Sequence, residues 1–487
     1  MSEGRRLPWY GWLGGATLAL GEAGVFLGVV PIRTLFYCLA WWSYIALADA
    51  CVWKRRGHSL LRNRPVEFWF LAFWSVPIWN LFELLNFRLQ NWFYINVPTE
   101  SILALLFNLS AYATVFPAIF ETYDLLRAYG VAEGVRTRPW RVTSRMLLVC
   151  GAAGTGMLAA ALLWPRVAFP LVWGFAIFLG DSLCYRLENR TVSLLGHFER
   201  GDPRPFLRLL LAGLVCGGLW EFWNFWAYTK WLYTVPFFEE LKWFEMPPLG
   251  FLGFPPFAVE CYVLVNLLNA VRRGRNWEAP GRTGPGASRR LAVSAVAIVL
   301  AFNGLVFAGI QAHTVKSVAP TLADMDGVPA EVLERLVASG ITTPPDLLRR
   351  TKTAEGLTAL LRQSGLARED LLAVREACRL VDLKGLGAEN YNALRRLGIR
   401  TVEELADREP ATLLPGWQAG APRWPPTESQ VTLWVNAARR ASGGTPATRS
   451  ASRGEASGRP ISRCRYEKPN PPDELSVHRG HVDPPEA

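Results

Sequence analysis

Charge is scarce in this chain. Asp, Glu, Lys and Arg make up 19% of the 487 residues, against 51% hydrophobic ones, where a soluble domain carries roughly 25% charged residues. Cysteine chemistry is missing as well. The eight cysteines, Cys38, Cys51, Cys150, Cys184, Cys216, Cys261, Cys378 and Cys464, are scattered with no Cys-x-x-Cys and no metal-ligand spacing. Neither a metal nor another cofactor is expected, and these side chains read as small packed hydrophobes. The apolar runs lack the two-residue alternation of a membrane β-barrel. No cleavable secretory signal opens the chain, because the first apolar run is long, holds Glu22 and leads straight into another. Residues 441–487 have almost nothing to bury, so a disordered tail is expected there.

What the chain does have is apolar length and aromatic bulk, with 21 Trp and 26 Phe. A helix needs about 20 mainly apolar residues to cross roughly 30 Å of hydrocarbon. Nine segments meet that length or come close: 8–30, 31–53, 66–87, 101–126, 146–165, 167–186, 206–228, 249–271 and 291–311. The formal charge of +11 could point to nucleic acid, but most basic residues stand in short loops between these runs. Lys54, Arg55, Arg56, Arg136, Arg138, Arg141, Arg186, Arg190, Arg200, Arg272 and Arg273 occupy one set of alternate loops. The other set holds little beyond Arg33, Arg88, Arg166, Lys230 and Lys242. Positive loops stay inside, so the expectation is a multi-pass cell-membrane protein with a cytoplasmic N-terminus. Nine crossings put everything after Gln311 on the extracytoplasmic side.

The membrane region repeats itself. Glu83-x-x-Asn86-Phe87 recurs as Glu221-x-x-Asn224-Phe225, and each is followed by Trp-x-Tyr, first Trp92 with Tyr94 and then Trp231 with Tyr233. Pro98 matches Pro236, and Pro117 with Glu121 and Tyr123 matches Pro256 with Glu260 and Tyr262. Trp41 to Asp49 matches Trp173 to Asp181, and Ser59-Leu60-Leu61 matches Ser193-Leu194-Leu195. Four spans per unit is an even number, so the copies share one orientation and relate by an axis along the membrane normal. The fold class expected is all-α: repeats at 1–140 and 141–288, a ninth span at 289–312, a small helical domain at 322–440 and the tail at 441–487.

The repeated polar residues are costly in a bilayer, at about 2.5 to 3.5 kcal/mol for an ionisable group near its centre. They therefore face a cavity or a partner. Glu83, Glu121, Glu221 and Glu260 are the candidate catalytic acids. Asn86, Asn224, Trp92, Tyr94, Trp231, Tyr233, Asp49 and Asp181 are candidates for binding substrate. Trp79, Glu83 and Asn86 share one helical face, and each Glu is expected to accept a hydrogen bond from its Asn. In a dry pocket a carboxyl favours its neutral form, which can donate a proton. The same residues also suit plain helix-to-helix bonding and interfacial anchoring. Glu83 and Glu221 fall near the outer ends of their spans, Asp49 and Asp181 near the cytoplasmic ends, so no single small pocket holds all four. Pro255 and Pro256 suggest a helix start that places Glu260 in a first turn beside Glu221.

Trp220-Glu221, Trp231-x-Tyr233 and Pro256 to Glu260, with Glu83, Trp92-x-Tyr94 and Pro117 to Glu121 as a first copy, resemble duplicated membrane lycopene cyclase domains. That family has Asp after the Trp and a tighter Pro-x-Glu-Glu, and this chain departs from both. The resemblance implies metal-free acid chemistry on a prenyl or carotenoid-like lipid. The rival expectations are a proton- or cation-coupled transporter and a membrane scaffold.

Beyond Leu322 the pattern turns soluble, with a second duplication. Gly327, Gly340-Ile341 and Thr343 recur as Gly385, Gly398-Ile399 and Thr401. Leu383-Lys384-Gly385-Leu386-Gly387, Leu394 and Trp434-Val435-Asn436 resemble paired helix-hairpin-helix modules, and in particular a bacterial domain-of-unknown-function family built from them. Lys384, Gly385 and Gly387 are candidate phosphate-binding residues, although a tight turn between helices needs glycine anyway. Membrane lipid, a lipid-soluble substrate and a protein partner through 322–440 are the expected partners, and nucleic acid is not.

Overall fold

The computed structural model describes residues 5–98, 101–187, 191–235, 241–271, 289–315, 317, 320–420 and 425–443. The expected disordered tail lies, from residue 444 onward, outside these residues, as do Arg190, Pro236, Arg272 and Arg273.

The protein is helical, as the continuous apolar runs require. In the membrane region α1 (Trp9–Phe26), α2 (Val30–Arg56), the short α3 (Leu60–Asn63) and α4 (Pro65–Leu89) lead to a four-residue strand, β1 (Trp92–Ile95). Then come α5 (Ser101–Tyr112) and α6 (Val115–Ala128). The second half holds α7 (Ser144–Leu163), α8 (Pro165–Ala168), a 3-10 turn (Phe169–Trp173), α9 (Phe175–Arg186), α10 (Leu194–Glu199), α11 (Arg204–Trp226), β2 (Lys230–Tyr233) and α12 (Phe254–Val271). A lone helix, α13 (Arg289–His313), follows. Among the described residues seven helices are long and apolar enough to cross a membrane, or eight if the pair Pro165–Trp173 and Phe175–Arg186, bent by 40°, counts as one span. The first of the nine expected spans is the shortfall. At 18 residues α1 is rich in glycine and carries Glu22, which lowers its apolarity. Its glycines let it lie close on α2, where a Cβ at Gly14 would sit 2.7 Å from the Ser43 carbonyl oxygen.

Contacts match between the halves. Helix α1 packs on α2 as α7 packs on α9, α2 on α6 as α9 on α12, and α4 on α6 as α11 on α12, while α6 and α11 join the halves. The halves differ at one place. Where α2 runs on, its counterpart breaks at Gly174 before α9.

Helices α4 and α11 run from the Lys- and Arg-rich segments directly into β1 and β2. The strands pair antiparallel, with Trp92 opposite Tyr233, Phe93 opposite Leu232 and Tyr94 opposite Trp231. Each strand thus meets its own counterpart, Phe93 facing Leu232, as a two-fold relation demands.

The C-terminal helices are α14 (Ala330–Ala338), α15 (Pro344–Arg350), α16 (Ala354–Ser364), α17 (Arg368–Val381), α18 (Gly387–Arg396), α19 (Val402–Ala406), α20 (Pro410–Gly420) and α21 (Glu428–Ala441). The second duplication is visible in the backbone. Gly327 and Gly385 have φ of 78° and 67°, and Gly340 and Gly398 have 78° and 79°, all in the left-handed region that favours glycine. Thr343 and Thr401 cap α15 and α19 through their hydroxyls. This domain rests on the two strands. Phe93, Ile95 and Leu232 belong to its apolar core, the Phe93 ring lies edge-on to Trp434 at 5.9 Å, and the Val315 N–H donates to the Tyr94 carbonyl at 3.3 Å.

Candidate functional site

The site forms where α4 and α11 end. At the first, Gln90 takes a left-handed conformation and closes α4, so the chain turns back over the last helical turn. Asn86 then catches the returning backbone. Its amide donates to the Trp92 carbonyl at 2.8 Å, and its oxygen accepts from the Asn91 N–H at 2.8 Å. Asn224 holds Trp231 in the same way, donating to its carbonyl and accepting from its N–H, both at 3.0 Å. Alternate strand residues share a face, so fixing Trp92 and Trp231 also aims Tyr94 and Tyr233 inward. The Tyr94 hydroxyl donates to Glu83 Oε1 at 2.5 Å and the Tyr233 hydroxyl to Glu221 Oε1 at 2.8 Å.

The expected bond from each Asn to its Glu is therefore not made, because both amides are taken up by strand backbone. Indole and phenol donors replace it. Trp79 Nε1 at 2.9 Å and Trp92 Nε1 at 3.1 Å reach the same Glu83 oxygen as Tyr94. Glu221 is held by Tyr233, and its Oε2 has no hydrogen-bond partner among the described residues. Burial, then the adjacent carboxylate charge, hold both strand tyrosines well above the usual phenol range. They remain neutral hydroxyl donors.

Between the strands and the helices lies a cavity of about 100 Å³. Tyr37, Trp79, Trp92, Tyr94 and Tyr112 come from the first half, and Trp173, Trp220, Trp231, Tyr233 and Phe257 from the second. Tyr112 donates to the Tyr94 hydroxyl at 3.1 Å. Lys230 also lines the cavity. Burial lowers its ammonium from the usual range, and Glu245 Oε1 faces it at 3.2 Å. A second space, a cleft of about 960 Å³, lies between α4, α13 and the C-terminal domain, with Glu83, Trp92 and Tyr94 in its wall.

The other candidates go elsewhere. Asp49 accepts from the Leu61 N–H at 2.7 Å and from the Ser59 and Tyr10 hydroxyls at 2.8 and 2.6 Å. Asp181 accepts from the N–H groups of Leu194 and Leu195 at 2.7 and 2.8 Å. Both pin the start of a short helix, where backbone N–H groups favour a carboxylate, and neither lines the cavity or the cleft. Glu260 sits not in the first turn of α12 but further along, and accepts from the Ala176 N–H at 2.9 Å at the broken start of α9. Its counterpart Glu121 faces an unbroken α2 that offers no spare N–H, and neither of its oxygens has a hydrogen-bond partner among the described residues. Neither of these glutamates lines the cavity or the cleft.

Lys384 and Gly385 are used for docking rather than left open to a phosphate. The Lys384 ammonium contacts both Glu245 oxygens at 3.1 Å, and a Cβ on Gly385 would stand 2.8 Å from Ile95. Gly387 begins α18 beside them. Sequence reasoning missed Tyr37, Tyr112, Trp220, Lys230 and Glu245. Trp220 directly precedes Glu221 and so was within reach; Glu245 has no local pattern to mark it. Among the described residues no group of His, Cys, Asp and Glu is placed to hold a metal.

Apolar helices of this number define a multi-span membrane protein with a helical domain appended. Residues 326–441 match the family described as Domain of unknown function (DUF4332). No curated protein and no solved structure matches the chain.

Proposed function

We propose that the membrane region binds the end of an unsaturated apolar chain, such as a prenyl or carotenoid-like lipid, and moves protons on it. The observation that carries this is the paired arrangement: each half brings one carboxyl-bound tyrosine to a common cavity walled mainly by aromatic rings. Indole and phenyl faces attract a cation, by about 2 kcal/mol or more once water is excluded. A neutral hydroxyl backed by a carboxyl supplies or removes a proton. One pair gives a proton to a carbon–carbon double bond, leaving a carbocation. The other takes a proton from a carbon beside that cation. The product has the composition of the substrate, isomerised or cyclised, and no oxidant or reductant is consumed.

The same reading sets the C-terminal domain, which rests on the strands opposite the Lys- and Arg-rich segments, on the extracytoplasmic side. Cysteine labelling in intact cells at position 362, an exposed arginine of α16, checks this. For the chemistry, lipid extracts of cells making the wild-type chain are compared with those making Glu221→Gln or Tyr94→Phe. The expected result is a prenyl-lipid product present in the first and missing in the others. Unchanged lipids with altered proton or solute uptake would turn the reading to a transporter. Normal lipids and normal uptake would leave a scaffold.

A further inference from the structure

Glu83 and Glu221 hold equivalent places in the repeat, yet their surroundings differ. Glu83 lies in the wall of the wide cleft, and Trp92 and Tyr94 line both the cleft and the apolar cavity. One layer of side chains thus separates the two spaces. Glu221 lines neither. Both side chains are buried, Glu83 at 1% and Glu221 at 0% exposure, and one Glu221 oxygen has no hydrogen-bond partner among the described residues. We propose that Glu83 is the proton-loading residue of the site: it takes a proton from water in the cleft and passes it through Tyr94 to the cavity, while Glu221, which lines neither space, releases the proton it collects to water more slowly. The proposal deepens the acid-catalysis reading and rests on it for the use made of the proton.

The path is drawn by hydrogen bonds. Tyr112 donates to Tyr94 at 3.1 Å, and Tyr94 donates to Glu83 at 2.5 Å. When a proton arrives on Glu83 both bonds can reverse. The carboxyl hydrogen passes to the Tyr94 oxygen, the Tyr94 hydroxyl hydrogen to the Tyr112 oxygen and the Tyr112 hydroxyl hydrogen to the acceptor in the cavity, so Glu83 loses one proton, the acceptor gains one and both phenols end neutral. Trp79 and Trp92 hold the carboxyl in place through their N–H groups. Across the cleft stand Gln311 and His313 of α13, with Glu389 and Glu428 of the C-terminal domain. The His313 ring stacks on Phe87, and its Nδ1 lies 2.7 Å from the Gly309 carbonyl oxygen. These groups are polar enough to hold water. The cavity wall beyond Tyr94 is mainly aromatic, and the hydrogen-bonded phenols of Tyr94 and Tyr112 offer the proton a route into it.

Infrared spectroscopy of the full chain in lipid nanodiscs tests this without substrate. The carboxylic C=O stretch is followed after transfer from H₂O to D₂O over a range of acidic pD. The Glu83 band is the one lost in Glu83→Gln, or displaced in Glu83→Asp if the glutamine variant does not assemble. The Glu221 band is assigned likewise from Glu221→Gln. The expected result is exchange at Glu83 at least about tenfold faster than at Glu221, the factor that a barrier difference of 1.36 kcal/mol produces. Equal rates, faster exchange at Glu221, or no band belonging to Glu83 at any pD would each overturn it. A lipid product absent from the wild-type cells, or unchanged in the variants, would defeat the acid-catalysis reading and leave this exchange result standing. Equal exchange would defeat the loading role and leave the lipid result standing.

Discussion

Replacing Glu245 with Gln should loosen the end of the molecule where the C-terminal domain meets the strands. Its side chain is 3% exposed and carries two ammonium groups, Lys230 on one side at 3.2 Å and Lys384 on the other at 3.1 Å. These partners differ in wetness: the Lys230 side chain is 17% exposed and that of Lys384 is 41%. Removing the carboxylate charge leaves Lys230 to keep its proton without a counter-ion or to give it up, and breaking a buried pair costs about 3 to 5 kcal/mol. Lys384 can turn to water, so Lys384→Met should cost under about 1 kcal/mol, as for a partly exposed pair. Lys230→Met falls between. Thermal unfolding in detergent reads the order, and hydrogen exchange at residues 383–387 reads whether the C-terminal domain has lifted. Gly385→Ala attacks the same contact without touching a charge, since its Cβ would meet Ile95 at 2.8 Å on a backbone with φ of 67°. It should speed exchange there as well. If Lys384→Met proves as costly as Glu245→Gln, exposure does not set the order of the two pairs, and if Glu245→Gln melts like the wild type, the carboxylate does not hold this end together; either result refutes the argument.

Asn224→Ala should cost about 1 to 3 kcal/mol by stranding the Trp231 N–H and carbonyl, measured as a lowered melting temperature; an unchanged one would mean β2 needs no clasp. Gly154→Ala should destabilise by about 1 to 3 kcal/mol, because its Cβ would stand 2.5 Å from the Leu179 backbone nitrogen, whereas Gly151→Ala meets nothing within 4 Å and serves as the neutral control. His197, in the short helix α10, is lowered to about 4 by burial and then by Arg200. Its folded value lies below its unfolded one, so the unfolded chain binds the extra proton as pH falls from about 6.5 toward 4, and stability is lost through that window by at most about 3 kcal/mol. His197→Gln should flatten the melting temperature against pH between those values, and an equal slope in both proteins would refute the assignment.

Helix positions were legible because apolar runs near twenty residues have few other uses. The recurrence of Glu, Asn, Trp and Tyr pointed to the ends of α4 and α11 next to β1 and β2, where these side chains are hydrogen-bonded. What the spacing could not show was which group bonds which. Asn86 and Glu83 share a helix face, but Gln90 folds the chain back, and the returning backbone competes for the amide. Nor could it show that Asp49 and Asp181 face N–H groups of short helices rather than a cavity. The pairing of β1 with β2 joins segments far apart in the chain, and four-residue strands carry too little periodicity to announce themselves. The break at Gly174 hides in a run that is apolar on both sides. Lys384 was read as a phosphate ligand from its local turn, and only the tertiary structure brings Glu245 to it.

The antiparallel meeting of Phe93 with Leu232 has an ancestral consequence. A strand that pairs with its own duplicate about a two-fold axis is the edge by which two identical, separate chains would have joined. Linking them into one polypeptide released each side from the need to suit both roles. One flank could then straighten its second helix and open its glutamate toward water, while the other kinked at Gly174 and closed over its own.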